Sequence, residues 1–117
     1  MSYPKRGEIW WVNFEPSFGT EIKKIRPALI ISNNIANKMG KRITVIPMTS
    51  KIKDLPIVVI VFPDADNNLE SESLIKIPDI ATFDKKRLKS RIGVISAQKL
   101  SEVEEKIKIH LGLSAID

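Results

Sequence analysis

Apolar residues along the chain fall in short runs that are separated by Pro, Gly, Asn and Asp. The runs are rich in β-branched and aromatic residues, which favour strands over helices. They recur at intervals of about fifteen residues, a spacing typical of small all-β domains. The predicted strands are Glu8–Phe14, Pro27–Ser32, Ile43–Met48, Ile57–Phe62, Ser73–Ile77 and Ser90–Ser96. We therefore expect a small, strongly curled antiparallel sheet or barrel.

The C-terminal segment has a different period. Ser101 followed by Glu104 has the form of a capping box, which predicts the start of a helix. Gly112 stands where a helix C-cap is expected, and the segment Asp84–Leu88 is predicted to form one further helical turn. The apolar residues at helical spacing are Leu100, Val103, Ile107 and Leu111. The predicted fold class is therefore mainly β with α (α+β), in one domain that spans residues 1–117.

Composition limits the possible chemistry. The chain has no cysteine and a single histidine, His110. Disulfides, cysteine nucleophiles and cysteine-ligated metals are therefore excluded within one chain, and so is a pair of histidines acting as acid and base. The formal net charge of +5 is compatible with a nucleic-acid partner but does not require one.

The chain contains no apolar run long enough for a signal peptide or a membrane span. We therefore expect a cytoplasmic protein that does not associate with a membrane.

Arg26 is the most suggestive polar residue. It ends a basic loop that contains Lys23 and Lys24, and Pro27 follows it directly. Proline biases the preceding residue toward an extended backbone, so Arg26 is held at the entrance to a buried strand. A guanidinium on such a rigid base is well suited to hold a phosphate with several donors. The alternative is a solvated loop whose arginine covers the rim of the barrel.

A second polar point follows the third predicted strand, where Thr49 and Ser50 are followed by Lys51. Two hydroxyls at a strand end can cap the next turn. They can equally donate to phosphate oxygens, with the lysine as the balancing charge. If the strands that carry Arg26 and Thr49 are antiparallel neighbours, the two residues face each other at one rim.

These motifs together resemble the MazF/PemK (Kid) toxin family of type II toxin–antitoxin systems. The resemblance covers nearly the whole chain, and the order and spacing of its motifs make it fairly specific. The matching segments are Gly7–Trp10, Gly19–Glu21, Arg26–Ala28, Ile30–Asn33, Ile46–Ser50, Thr82–Leu88 and Gly93–Ser96.

The resemblance implies a CcdB/MazF-type fold, which is an SH3-like curled antiparallel barrel with a C-terminal helix, and it implies a homodimer. It also implies an endoribonuclease that cuts single-stranded RNA sequence-specifically without metal or cofactor. It further implies a cognate antitoxin that blocks this enzyme with an acidic tail. In this family pattern Arg26 and Thr49 match the catalytic arginine and threonine. Glu21 and Ser50 match supporting positions, and Glu21 is the candidate general base.

Further RNA contacts are predicted from the basic loop and its surroundings. Lys23 and Lys24 lie in the loop that matches the mobile RNA-flanking loop of the family, and Lys51 adds positive charge. Phe18 stands on the same loop, where an aromatic ring can stack on an unpaired base or simply anchor the loop. Asp79 is included because it stands one position from an acid that the family pattern expects.

The sequence departs from that pattern at Pro78–Ala81, where many members carry an acid, glutamine and arginine. Proline replaces the acid, which leaves three interpretations: Asp79 substitutes for it, RNA preference differs, or activity is lost. The runner-up function is a non-catalytic CcdB-like toxin or an RNA- or antitoxin-binding module on the same fold. Against a CcdB-like toxin, the C-terminal Gly112–Asp117 has no tryptophan.

Two tryptophans and an acidic segment complete the predictions. Trp10 and Trp11 are adjacent on a strand and therefore point to opposite faces. One is expected in the core, and the other either packs at an interface or stacks on a base. Glu70–Glu72 is acidic and would repel RNA, so we expect it to lie away from the RNA groove.

Overall fold

The apolar runs form seven β-strands in the part of the chain that the structure describes. The structure is a computed structural model, and it describes residues 3–15, 25–51 and 55–114. The strands are β1 Glu8–Asn13, β2 Ile25–Ile30, β3 Arg42–Thr49, β4 Val58–Val61, β5 Ser73–Lys76, β6 Ala81–Asp84 and β7 Leu88–Val94. The helices are α1 Asn34–Met39 and α2 Ala97–His110, and single 3-10 turns span Ile77–Asp79 and Lys85–Arg87. The six predicted strands are confirmed, whereas β6 was not predicted.

The strands form one antiparallel sheet in the order β4-β5-β3-β2-β1-β7, and β6 pairs with the first half of β3. This confirms the predicted antiparallel, mainly β fold. The sheet is not closed, because no ladder joins the end strands β4 and β7 within the described residues. The predicted barrel is therefore an open, curled sheet.

Strand β3 lies in the interior of the sheet although it contains Pro47. Its residues up to Val45 pair with β6, and its residues from Met48 pair with β5. Pro47 lies between these two ladders, where a missing N–H interrupts neither of them. The change of partner also brings the end of β3 beside the chain segment that enters β5.

Side chains alternate between the two faces of the sheet and fill two separate apolar clusters. On β2, Leu29 lies in the larger cluster, while Ala28 and Ile30 lie in the smaller one. Helix α2 covers the larger cluster and inserts Val103, which is fully buried. Both faces of β2 are thus buried at Ala28–Ile30, which explains why this run has no polar residue.

Helix α2 starts earlier than its sequence pattern predicts. Its N-cap is Ser96, whose hydroxyl accepts a hydrogen bond from the Lys99 N–H at 3.1 Å. The predicted start at Ser101 is wrong, because a true capping residue must precede the helix and Ser101 lies inside it. The predicted end is confirmed. Gly112 has φ +74°, and the backbone N–H of Leu113 donates to the Lys108 carbonyl, as in a Schellman motif.

Helix α1 was not predicted, since its six residues show no apolar period. Asn33 caps it by accepting a hydrogen bond from the Ala36 N–H. The turn predicted at Asp84–Leu88 is confirmed as the 3-10 turn Lys85–Arg87, and the Asp84 side chain caps it. Among the described residues, neither helix has the length and apolar character required to cross a bilayer.

The Glu8 carboxylate ties β1 to β7. It accepts hydrogen bonds from the Lys5 backbone N–H at 2.8 Å, the Trp10 indole N–H at 3.0 Å and the Arg91 Nε at 2.9 Å. Burial alone would raise the pKa of Glu8, but these hydrogen bonds and the Arg91 charge outweigh it and lower the pKa. Trp10 is thereby fixed against the smaller apolar cluster, and Trp11 points to the opposite face.

Candidate active site

The register between β2 and β3 brings Arg26 and Thr49 to the same end of the sheet. The paired residues are Ala28 with Pro47, Leu29 with Ile46 and Ile30 with Val45. Continuing this antiparallel register by two residues places Arg26 directly across from Thr49. Residues opposite each other in an antiparallel pair project on the same face. The sequence-based expectation that the two residues meet at one rim agrees with this arrangement.

Both residues line a cleft of about 460 Å³ at that rim. Three parts of the chain form it: strands β1–β3, the segment that leads from β4 into β5, and Ile92 of β7. Apolar side chains that include the buried Met48 form part of its lining, and polar groups complete it. The lining residues are Trp11, Ile25, Arg26, Pro27, Met48, Thr49, Ser50, Asn68, Leu69, Glu70, Ser71, Ser73 and Ile92.

Arg26 is half-buried, with its backbone in the β1–β2 ladder opposite Val12. No hydrogen bond or ion pair within the described residues involves its guanidinium. Arg26 is also the one cation among the described residues that line the cleft. The backbone is therefore held while the donors remain available. This is the arrangement expected of a group that binds an oxyanion.

The Thr49 hydroxyl has one defined partner. Its oxygen accepts a hydrogen bond from the Lys51 backbone N–H at 3.2 Å. A hydroxyl has one proton to donate and two lone pairs, so this contact uses a lone pair and leaves the proton free. The hydroxyl thus caps the turn, as the simpler interpretation of the sequence held, and keeps a proton to donate.

The other predicted site residues fall into three groups. Ser50 lines the cleft, and Lys51 follows it as an exposed residue outside the lining. Asp79 does not line the cleft; its carboxylate pairs with the Lys76 ammonium at 3.0 Å. The remaining predictions lie outside the described residues, namely Phe18, Glu21, Lys23 and Lys24.

Trp11 lines the cleft with 40% of its surface exposed. Its neighbour Trp10 packs against the smaller apolar cluster, as expected for one of the pair. Of the two roles left open for the second tryptophan, its place in the cleft makes base stacking possible.

The prediction that Glu70–Glu72 lies away from the groove is wrong, because Glu70 and Ser71 line the cleft. The prediction used charge alone. The segment is brought to the cleft by pairing of β5 with the end of β3, where Thr49 lies opposite Leu74. Asn68 and Leu69 were missed for the same reason, since no local motif marks them.

A buried asparagine holds this segment in place. The Asn67 side chain donates to the Phe62 carbonyl at 2.9 Å and accepts from the N–H groups of Asp64 and Leu69. The loop also lies directly on Gly93 of β7. A Cβ at Gly93 would come within 2.4 Å of the Asn67 carbonyl oxygen, so only glycine allows this approach.

In the described ranges 3–15, 25–51 and 55–114, no group of three or more His, Asp or Glu side chains is arranged to hold a metal ion.

Known proteins show the same sequence pattern and fold. A model of the PemK-like, MazF-like toxins of type II toxin–antitoxin systems matches residues 5–111. Endoribonuclease MazF9 of Mycobacterium tuberculosis (strain ATCC 25618 / H37Rv) is 33% identical over 114 residues, which cover 93% of this chain and 97% of that protein.

Solved structures of toxins of this kind have the same fold as this chain. MazF (form I) of Deinococcus radiodurans has a TM-score of 0.81 at 27% identity, over 96% of this chain and 99% of that one. The MazE–MazF structure (form II) of the same organism gives a TM-score of 0.76 at 26% identity, over 97% of this chain and 100% of the matched chain. Together with the cleft that joins Arg26 to Thr49, these matches show that the chain belongs to the PemK-like, MazF-like toxin family of type II toxin–antitoxin systems.

Proposed function

We propose that this chain is the toxin of a type II toxin–antitoxin pair and acts as a sequence-specific, metal-independent endoribonuclease on single-stranded RNA. The observation that carries the proposal is that Arg26 and Thr49 line one cleft, with the guanidinium unpaired among the described residues. The relative MazF9 is itself named an endoribonuclease.

The chemistry follows from the two side chains. The 2′-hydroxyl loses its proton as its oxygen attacks the adjacent phosphorus, and the bond from phosphorus to the 5′-oxygen breaks as that oxygen takes up a proton. The products are a 2′,3′-cyclic phosphate and a 5′-hydroxyl end. Negative charge builds on the phosphorane oxygens, where the Arg26 donors and the Thr49 hydroxyl stabilise it. DNA lacks the attacking hydroxyl and is therefore not a substrate.

The proton of the 2′-hydroxyl needs an acceptor, and the protein must also hold the strand. Glu21 remains the proposed base, and Lys23, Lys24 and Lys51 the proposed phosphate contacts. Aromatic rings can stack on unpaired bases, a role proposed for Trp11 and for Phe18.

The departures from the family pattern affect RNA preference in this proposal, and the chemical step is retained. Pro78 and Ala81 do not line the described cleft, and Asp79 is paired with Lys76. The groups that stabilise the phosphorane therefore do not depend on this segment. Asp79 stays a proposed RNA contact because it lies beside Lys76.

A cognate antitoxin with an acidic tail is the proposed inhibitor, since a MazE–MazF structure is among the similar structures. An acidic tail would compete with RNA for Arg26 and the basic loop. A homodimer and a cytoplasmic location complete the proposal. A CcdB-like poison is disfavoured because it would have no use for a free guanidinium beside a donating hydroxyl.

The test is cleavage of a long single-stranded RNA by the purified protein in excess EDTA. We expect cuts at a short recurring sequence, with cyclic phosphate on one side and a 5′-hydroxyl on the other. Intact RNA after prolonged incubation, or cleavage that requires added Mg²⁺, would refute the proposal. An equal concentration of the matching DNA serves as the substrate control.

Removing the Thr49 hydroxyl tests its role directly. Thr49→Val keeps the shape of the side chain, and we expect the rate of cleavage to fall by about 10²–10³. Thr49→Ser retains the hydroxyl and should keep most of the activity. Single-turnover rates on a fixed RNA provide the measurement.

The matched control is Thr44→Val on the same strand. Thr44 bonds to the Thr82 hydroxyl at 2.8 Å, away from the cleft. Equal rates for Thr49→Val and Thr44→Val would show that the Thr49 hydroxyl takes no part in the reaction.

A further inference from the structure

The segment that leads into β5 is a rigid wall of the cleft. Asn67 is 1% exposed and satisfies three backbone groups with its side chain. The next residue, Asn68, donates its side-chain amide to the Ile92 carbonyl of β7 at 3.0 Å. The Val94 N–H donates to the Asp66 carbonyl at 3.0 Å and attaches the loop to β7 a second time.

Glu70 is held between two anchored neighbours on this wall. Leu69 packs against the larger apolar cluster on one side. On the other side, the Ser71 carbonyl accepts a hydrogen bond at 3.0 Å from the hydroxyl of the buried Ser73. The Glu70 side chain itself is exposed and takes part in no ion pair or hydrogen bond among the described residues. Glu70 thus lines the cleft from a backbone that is anchored on both sides.

A fixed carboxylate in a cleft for a polyanion repels the phosphates that Arg26 attracts. The two charges therefore orient the strand, with phosphates toward Arg26 and another part of the nucleotide toward Glu70. An ionised carboxylate only accepts hydrogen bonds. The nucleotide groups that can donate to it are the 2′-hydroxyl and the N–H groups on base edges, and of these only the base N–H groups differ from one nucleotide to another.

We propose that Glu70 is a specificity-determining residue that reads a guanine at the cleavage site, an inference that rests on the proposed ribonuclease function. Guanine presents N1–H and N2–H side by side on its Watson–Crick edge, which matches the two oxygens of a carboxylate. Adenine and cytosine offer one amino group beside an acceptor nitrogen. Uracil offers one N–H between two carbonyl oxygens, which the carboxylate repels.

The experiment compares cleavage maps of one long RNA for the wild type, Glu70→Gln and Glu72→Gln. Glu72 is the matched control, because it lies two residues away and does not line the cleft. For the wild type and Glu72→Gln we expect a required guanine at one position near the cut. For Glu70→Gln we expect that position to accept other bases, with preference for guanine reduced by about tenfold or more.

A second readout uses short RNAs in which inosine, which lacks the N2 amino group, replaces the selected guanine. The wild type should cut the inosine RNA about tenfold more slowly, whereas Glu70→Gln should barely distinguish the two RNAs. Identical maps for the wild type and Glu70→Gln, or a recognition sequence without guanine, would overturn the proposal. A uniform loss of rate in Glu70→Gln with unchanged sequence preference would also overturn it and indicate a role in proton transfer. A wild type that cuts no RNA would instead refute the proposed function itself.

Discussion

Arg26→Ala should slow RNA cleavage by at least about 100-fold, because one preorganised donor to a developing charge is worth about 10²–10³ in rate. The guanidinium is the one cation among the described residues of the cleft, so no described neighbour there can replace it. Stability should change little, since Arg26 is half-buried and the described residues include no ion pair or hydrogen bond to it.

The measurement is a single-turnover rate in EDTA, accompanied by a thermal melt for each variant. Arg26→Lys keeps the charge but loses the planar fork of donors, and we expect it to recover only part of the activity. Arg42→Ala is the matched control at the opposite end of β3, where the Arg42 side chain donates to the Thr82 carbonyl. If Arg26→Ala and Arg42→Ala cut equally fast, Arg26 has no catalytic role.

Gly93→Ala should destabilise the domain by about 1–3 kcal/mol or more, the usual range for forcing an extra group into packed structure. The added methyl would lie 2.4 Å from the Asn67 carbonyl oxygen and 2.5 Å from that of Asp66. Both atoms belong to backbone, which cannot rotate away as a side chain can. The loop must therefore move off β7, and the wall that carries Glu70 moves with it.

Urea unfolding of Gly93→Ala and of the parent protein measures the loss in free energy of unfolding. The cleavage map of the folded variant shows whether the segment that carries Glu70 has moved. We expect a lower urea midpoint of unfolding, together with cleavage at sites where the selected position carries other bases. Ser90→Ala is the control on the same strand, because Ser90 is exposed. A midpoint for Gly93→Ala equal to that of Ser90→Ala would mean that the loop does not lie against β7 as described.

The sequence predicts those strands whose hydrophobic pattern lies within the strand itself. The run in β3 and that in β4 are recognisable because alternation and β-branched residues act over a few neighbours. Strand β6 was missed because it is short and half-exposed, and it exists by pairing with β3. The start of α2 was misplaced for a related reason. Ser96 and Ser101 both suit a cap, and the choice depends on where β7 ends.

The sequence by itself determined the family, the antiparallel strands and the placing of Arg26 and Thr49 at one rim of the sheet, because a local motif and the order of two successive strands suffice for these. The tertiary structure alone decided what surrounds them. Glu70 reaches the cleft through a β3–β5 pairing between residues far apart in sequence, and Gly93 permits the loop to dock. The sequence-based prediction placed Glu70 away from the groove because it considered only the repulsion between a carboxylate and RNA. The position of Glu70 depends on the β3–β5 pairing, which local charge does not reveal.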